Sequence, residues 1–153
     1  MSDTATIPMA PLTGVIAYLN LEGASDASAF YQRAFGAREV FRMPAEDGDR
    51  LLHCHVEING GPLMFSDCFP EMGVARQASD SHTLHLVVDD IDAWWRRAVD
   101  AGCEITMPLA VQFWGDRFGK LRDPFGVNWS LSAPDSADDT GSADDTGSAG
   151  DAG

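Results

Sequence analysis

One order of elements occurs twice in this chain, and that repetition limits its fold more than any other feature. The run "GVIAYLNLEG" (14–23) is β-rich, and "ASDASAFYQRAF" (24–35) follows with Ala27, Phe30, Tyr31 and Ala34 at helical spacing. Gly36 is a natural helix stop. "REVFRM" (38–43) and "RLLHCHVEI" (50–58) read as strands, "NGG" as a hairpin turn and "PLMFSD" (62–67) as a fourth strand. From residue 83 the order returns: a strand in "TLHLVVDD", a helix over 91–101 stopped by Gly102, then strand runs in "CEITMPL", "FGKLRD" and "VNWSLS". "GDR" stands at 48–50 and again at 115–117. A repeat of this length is a half-domain duplication rather than a solenoid unit. The expected fold is α+β: two tandem βαβββ modules forming a curved, partly closed β-sheet cavity with helices outside. The short hairpin connections argue against a doubly wound sheet.

The 153 residues suit about one domain, and a hydrophobic fraction of 44% supports a real core. We expect a flexible N-terminus over 1–11, modules over 12–78 and 79–133, and an acidic disordered tail over 134–153. The tail contains "SADDTG" twice and no large apolar residue, so nothing offsets the entropy of ordering it. Net charge is −14, and such an acidic chain repels a phosphate backbone, so no nucleic-acid partner is expected. No apolar run approaches the length of a membrane span, and the first residues lack the basic start and apolar stretch of a signal peptide. Cys54, Cys68 and Cys103 are an odd, widely spaced set that reads as reduced packing residues. A cytoplasmic protein is therefore expected.

Several stretches together resemble one family. "AFYQRAFGA" ends the first helix, "VVDDIDAW" opens the second, and "DPFGVNWSL" closes the last hairpin. Between them stand "FRMP", "LMFSDCFPEMG" and "QFWGDRFGKLRDPFG". This order is similar to the vicinal oxygen chelate superfamily, which includes glyoxalase I, extradiol dioxygenases and bleomycin and fosfomycin resistance proteins. Within it the sequence is more similar to the glyoxalase-like branch, and the likeness covers about residues 12–133. The resemblance implies a homodimer that acts on or binds a small molecule. In the enzymes it also implies a divalent metal held by ligands on the first and last strand of each module, acting as a Lewis acid. Placed on this sequence, those positions fall at Ile16, Met64, Thr83 and Ser130. None is a usual transition-metal ligand. No cofactor is expected, with a displaced divalent-metal site as the alternative.

The remaining polar chemistry gathers on few positions. His53, His55 and Glu57 alternate along the third strand, with Leu52, Cys54, Val56 and Ile58 on its core side. With His85 they read as an improvised metal site, as a general base oriented by a carboxylate, or as the polar face of a half-buried strand. "FWGDRFG" reads as a loop in which Trp114 offers a flat apolar wall and Arg117 a fork for a carboxylate or phosphate. Alternatively, Asp116 and Arg117 pair with each other or with the neighbouring module. Of the adjacent Trp94 and Trp95, at most one faces fully into its sheet. Tyr18, Met64, Thr83 and Ser130 complete the candidate ligand-binding set. The expected function is a glyoxalase/bleomycin-resistance-like small-molecule binding protein. The alternative is a metal-dependent lyase, isomerase or dioxygenase, and a metal-free enzyme using His53 or His55 remains open.

Overall fold

The structure, a computed structural model, describes residues 12–135. The expectations for residues 1–11 and for nearly all of the acidic tail lie outside that span. The chain divides into two compact units between Ser79 and Asp80. Each is a βαβββ module with one helix and a four-stranded mixed sheet, and the architecture is α+β.

The first module runs β1 (Tyr18–Leu21), α1 (Ala24–Phe35), β2 (Arg38–Pro44), β3 (Leu51–Ile58) and β4 (Gly61–Asp67). Its strands stand in the order β1-β4-β3-β2, with β1 parallel to β4 and the other pairs antiparallel. α1 buries Ala24, Ala27, Phe30, Tyr31, Ala34 and Phe35, one stripe of a helix with a period of about 3.6 residues. Cys54, Val56 and Ile58 of β3, with Leu63, Phe65 and Asp67 of β4, are buried on that side. Leu51 is buried and Leu52 exposed, the reverse of the expected alternation, beside a register shift between Met43 and Pro44. Gly36 adopts left-handed φ of 66°, and its N–H returns to the last turn of α1.

The buried Asp67 carboxylate joins three elements of this module. Its Oδ1 accepts from the Gly23 and Ala24 amides at the start of α1, at 2.8 and 3.0 Å. Its Oδ2 accepts from the Leu51 amide at the start of β3, at 2.7 Å. One side chain thus satisfies two of the orphan donors that any helix start leaves.

The second module repeats the plan with β5 (Leu84–Val87), α2 (Ile91–Ala101), β6 (Glu104–Val111), β7 (Asp116–Arg122) and β8 (Asn128–Pro134) in the order β5-β8-β7-β6. β8 thus reaches Pro134, one residue into the expected tail. Asp90 caps α2 by accepting from the Ala93 amide. Trp129, Leu121 and Leu131 are fully buried. Trp95 packs against the sheet: a Cβ built on Gly119 would lie 2.5 Å from Trp95 Cη2 and 3.0 Å from Leu109 Cα. Trp94 instead lies under the Arg97 guanidinium, 4.6 Å from its ring centre. The three cysteines are free and buried. Burial pushes the Cys54 thiol up to about 11 and Cys103 to about 12, which removes thiolate reactivity. Among the described residues, no helix is long and apolar enough to cross a membrane.

Candidate functional site

Strand register decides which side chains share the face opposite each helix. In the first module, Glu39 does not belong to that face. It pairs with Val56 in register and accepts from the Ser28 hydroxyl of α1 at 2.6 Å, so it marks the helix side. The residues of opposite alternation then form a continuous row across all four strands: Phe41, His55, Met64 and Tyr18. Met43 and His53 are a cross-strand pair two residues along. Tyr18, Phe41 and Met43 are exposed large hydrophobic residues on this face.

The polar groups around that row are engaged, with one exception. The Tyr18 hydroxyl and His53 Nδ1 share a hydrogen bond of 2.9 Å, with the two rings at 5.5 Å. The Glu57 carboxylate accepts from the Arg38 guanidinium at 2.6 Å, so its ion pair is with arginine rather than an imidazolium. Asn20 donates to the Ser66 hydroxyl at 3.1 Å. His55 is only 4% exposed, and its Nε2 is the one buried side-chain N or O among the described residues that finds no hydrogen-bond partner. Burial holds its pKa below the usual histidine value; nearby Glu57 opposes this, while His53 and Arg38 add to it.

In the second module, the corresponding row is His85, Ser130, Lys120 and Met107. His85 bridges two hydroxyls, with Nδ1 at 2.6 Å from Ser130 Oγ and Nε2 at 3.1 Å from Ser132 Oγ. Phe118 lies stacked beside it with centroids 6.0 Å apart. Trp114 meets Phe118 edge-on at 5.7 Å, and Phe113 meets Trp114 at 4.9 Å. Four rings thus run in sequence from His85 to the β6–β7 turn. "FWGDRFG" proves to be a tight hairpin turn rather than a long loop, because Asp116 and Arg117 already belong to β7. Gly115, at φ 101°, supplies the turn's left-handed residue.

Arg117 takes the other face. Its guanidinium forms two hydrogen bonds with Asp92 of α2, at 2.7 and 2.9 Å. The alternative expectation pairs Arg117 with Asp116 or with the neighbouring module, whereas the structure pairs it with a helix of its own module. Its counterpart Arg50 pairs with Asp47 and Glu71. Thr83 lies exposed before β5 begins, and Ile16 lies before β1. The "DPFG" turn is organised by the buried Asp123, which accepts from the Phe125 and Val127 amides and from the Trp129 indole. The sequence reading missed Phe118, Ser132, Phe41 and Met43. Period-two spacing from Ser130 and from Lys120 was the available signal for the first two.

The first and last strands of each module are parallel neighbours, and their register sets Tyr18 opposite Met64 and His85 opposite Ser130. Residues 17–131 match the family described as the Glyoxalase/Bleomycin resistance protein/Dioxygenase superfamily. The chain belongs to this superfamily. It is 38% identical over 138 residues to the uncharacterized protein MT0910 of Mycobacterium tuberculosis, covering 86% of this chain and 79% of that one. Among solved structures it is similar to TioX from Micromonospora sp. ML1, with a TM-score of 0.65 and 25% identity over 80% of this chain and 99% of that one. The fold is also that of FosX, a fosfomycin resistance protein from Listeria monocytogenes, with a TM-score of 0.62 and 15% identity over 84% and 96% of the two chains.

Two of the four expected metal positions, Met64 and Ser130, have in-register neighbours on the parallel strands. Those neighbours are Tyr18 for Met64 and His85 for Ser130, each two residues beyond the expected positions Ile16 and Thr83. Only His85 among these four is a usual ligand for a transition metal, and both its nitrogens already meet serine hydroxyls. In the first module a phenol stands beside a thioether, and in the second an imidazole stands beside an alcohol; neither pair makes a donor set for a catalytic divalent ion. Among the described residues, no group of three or more His, Cys, Asp or Glu side chains is placed to hold one.

Proposed function

We propose that this chain is a small-molecule binding protein that holds an organic ligand by packing and hydrogen bonding, without a metal. The observation that supports this reading is the chemistry of the register-paired side chains, Tyr18 with Met64 in the first module and His85 with Ser130 in the second, neither pair holding a carboxylate. Aromatic surface accompanies these pairs. Trp114 is about half exposed, with Phe118 and His85 behind it, and Tyr18 and Phe41 are exposed in the first module. Flat rings with fixed neighbours suit stacking at small entropic cost. The expected homodimer belongs to this reading, and light scattering at twice the chain mass is its check.

The test is a thermal-shift screen of aromatic small molecules run with EDTA, then repeated with Zn, Ni, Mn or Fe(II). Stabilisation that survives EDTA and falls in Trp114→Ala or Tyr18→Ala supports the proposal. Stabilisation that requires an added metal overturns it.

A further inference from the structure

We infer that the row Phe41, His55, Met64 and Tyr18 is the seat of an uncharged aromatic molecule, whose one polar group hydrogen-bonds His55 Nε2. The inference rests on the metal-free binding reading and narrows it to a class of ligand and an anchoring atom. A buried nitrogen without a partner is an uncommon thing in a folded chain, and it forfeits the hydrogen bonds that water supplied before folding. Here it stands on the face opposite α1, between Phe41 and Met64 in register, in a row that ends at exposed Tyr18. These neighbours give the ligand its shape. Phe41, Tyr18 and the thioethers of Met43 and Met64 favour the faces and edges of a flat ring.

The charge of the ligand follows from what is already paired. Arg38 and Glu57 are the charged groups on this face of β2 and β3, and each is the other's counter-ion at 2.6 Å. His53 is held by Tyr18, and Ser66 by Asn20. An ionic ligand entering here would lose its hydration without gaining a counter-charge, whereas a neutral one would not. A neutral imidazole, favoured by the burial of His55, offers one donor and one acceptor nitrogen. Nε2 therefore suits a phenol hydroxyl or a primary amide, which can match either tautomer. The duplication sharpens the assignment, because the matching position in the second module's row is Lys120, a charged residue. An imidazole at this position of the row is thus a feature of the first module alone, since the second module's His85 stands at the position of Tyr18 and is already engaged by Ser130 and Ser132.

Four probes of one ring size separate the possibilities: phenol, benzamide, benzoate and benzylammonium. They are titrated into the full chain in EDTA and followed by the imidazole ¹⁵N resonances and by calorimetry. Phenol and benzamide are expected to bind and to move the His55 Nε2 resonance, with benzoate and benzylammonium about tenfold weaker. His55→Leu is expected to weaken benzamide about tenfold, with His55→Gln losing less because it keeps a hydrogen-bonding group. Circular dichroism of both variants checks that they fold. Equal binding to wild type and His55→Leu overturns the anchor while leaving metal-free binding intact. Charged probes binding as tightly as benzamide, or no neutral probe binding at millimolar concentration, overturns the ligand class. Binding of neutral probes only after a metal is added overturns both the anchor and the function on which it rests.

Discussion

Replacing His55 by Leu should make the ligand-free protein more stable, although it removes a buried native side chain. In the folded state His55 Nε2 is buried without a partner, which penalises folding by about 1–3 kcal/mol relative to a satisfied group. Leu is close to His in volume, so it fills the space between Phe41 and Met64 without the overpacking that a larger residue would bring. The net expectation is a gain of about 1–2 kcal/mol, read as a rise in Tm of roughly 2–8 °C for a chain of this size. The difference should also depend on pH. The folded pKa of His55 lies below its unfolded value, so the unfolded chain binds more protons as pH falls below about 6.5. Wild-type stability therefore declines from about pH 6.5 downward, until the folded pKa is passed, and His55→Leu lacks this contribution. Differential scanning calorimetry of both proteins from about pH 5 to about pH 8 measures it. A lower Tm for His55→Leu at pH 8 would refute the reasoning, because it would mean that His55 contributes a hydrogen bond to the fold.

Gly119→Ala should destabilise by about 1–3 kcal/mol, since its Cβ meets Trp95 and the Leu109 backbone at once, and Trp95→Leu should relieve part of the loss in a double-mutant cycle. Asp67→Ala should leave the Gly23, Ala24 and Leu51 amides without their acceptor, and faster hydrogen exchange at those amides should accompany a fall in Tm. Arg117→Ala should cost at most about 1 kcal/mol, because its partner Asp92 is exposed, and should leave aromatic probe binding unchanged. Trp114→Ala should weaken stacking ligands while moving Tm little, which fluorescence titration and a melting curve check together.

Much of the fold was legible because its signals are local. α1 and α2 match the expected spans 24–35 and 91–101, each defined by apolar spacing and ended by Gly36 or Gly102. The period-two alternation of His53, His55 and Glu57 likewise placed them on one face of β3. Pairing between distant strands was less accessible. The pairing of Ser130 with His85 is set by the β5–β8 register between residues 45 apart in sequence, which no local pattern reports. Arg117 looked available for a ligand because its counter-ion, Asp92, is 25 residues away on a helix. The stretch "QFWGDRFGKLRDPFGVNW" carries so many aromatic and turn residues because it must do several things in one short hairpin pair. It turns at Gly115, presents Trp114 against Phe118, admits Trp95 over Gly119, and ties the next turn to Asp123. The lone imidazole nitrogen of His55 had no sequence signal at all, since burial and the absence of a partner are properties of the packed chain.

Metal content tests the central claim most directly, by elemental analysis of protein purified without chelator and without a histidine tag. The account predicts no stoichiometric Zn, Ni, Mn or Fe, and no change in Tm when these ions are added. About one divalent ion per chain, lost together with ligand binding when His53, His55 or His85 is replaced by Ala, would contradict it.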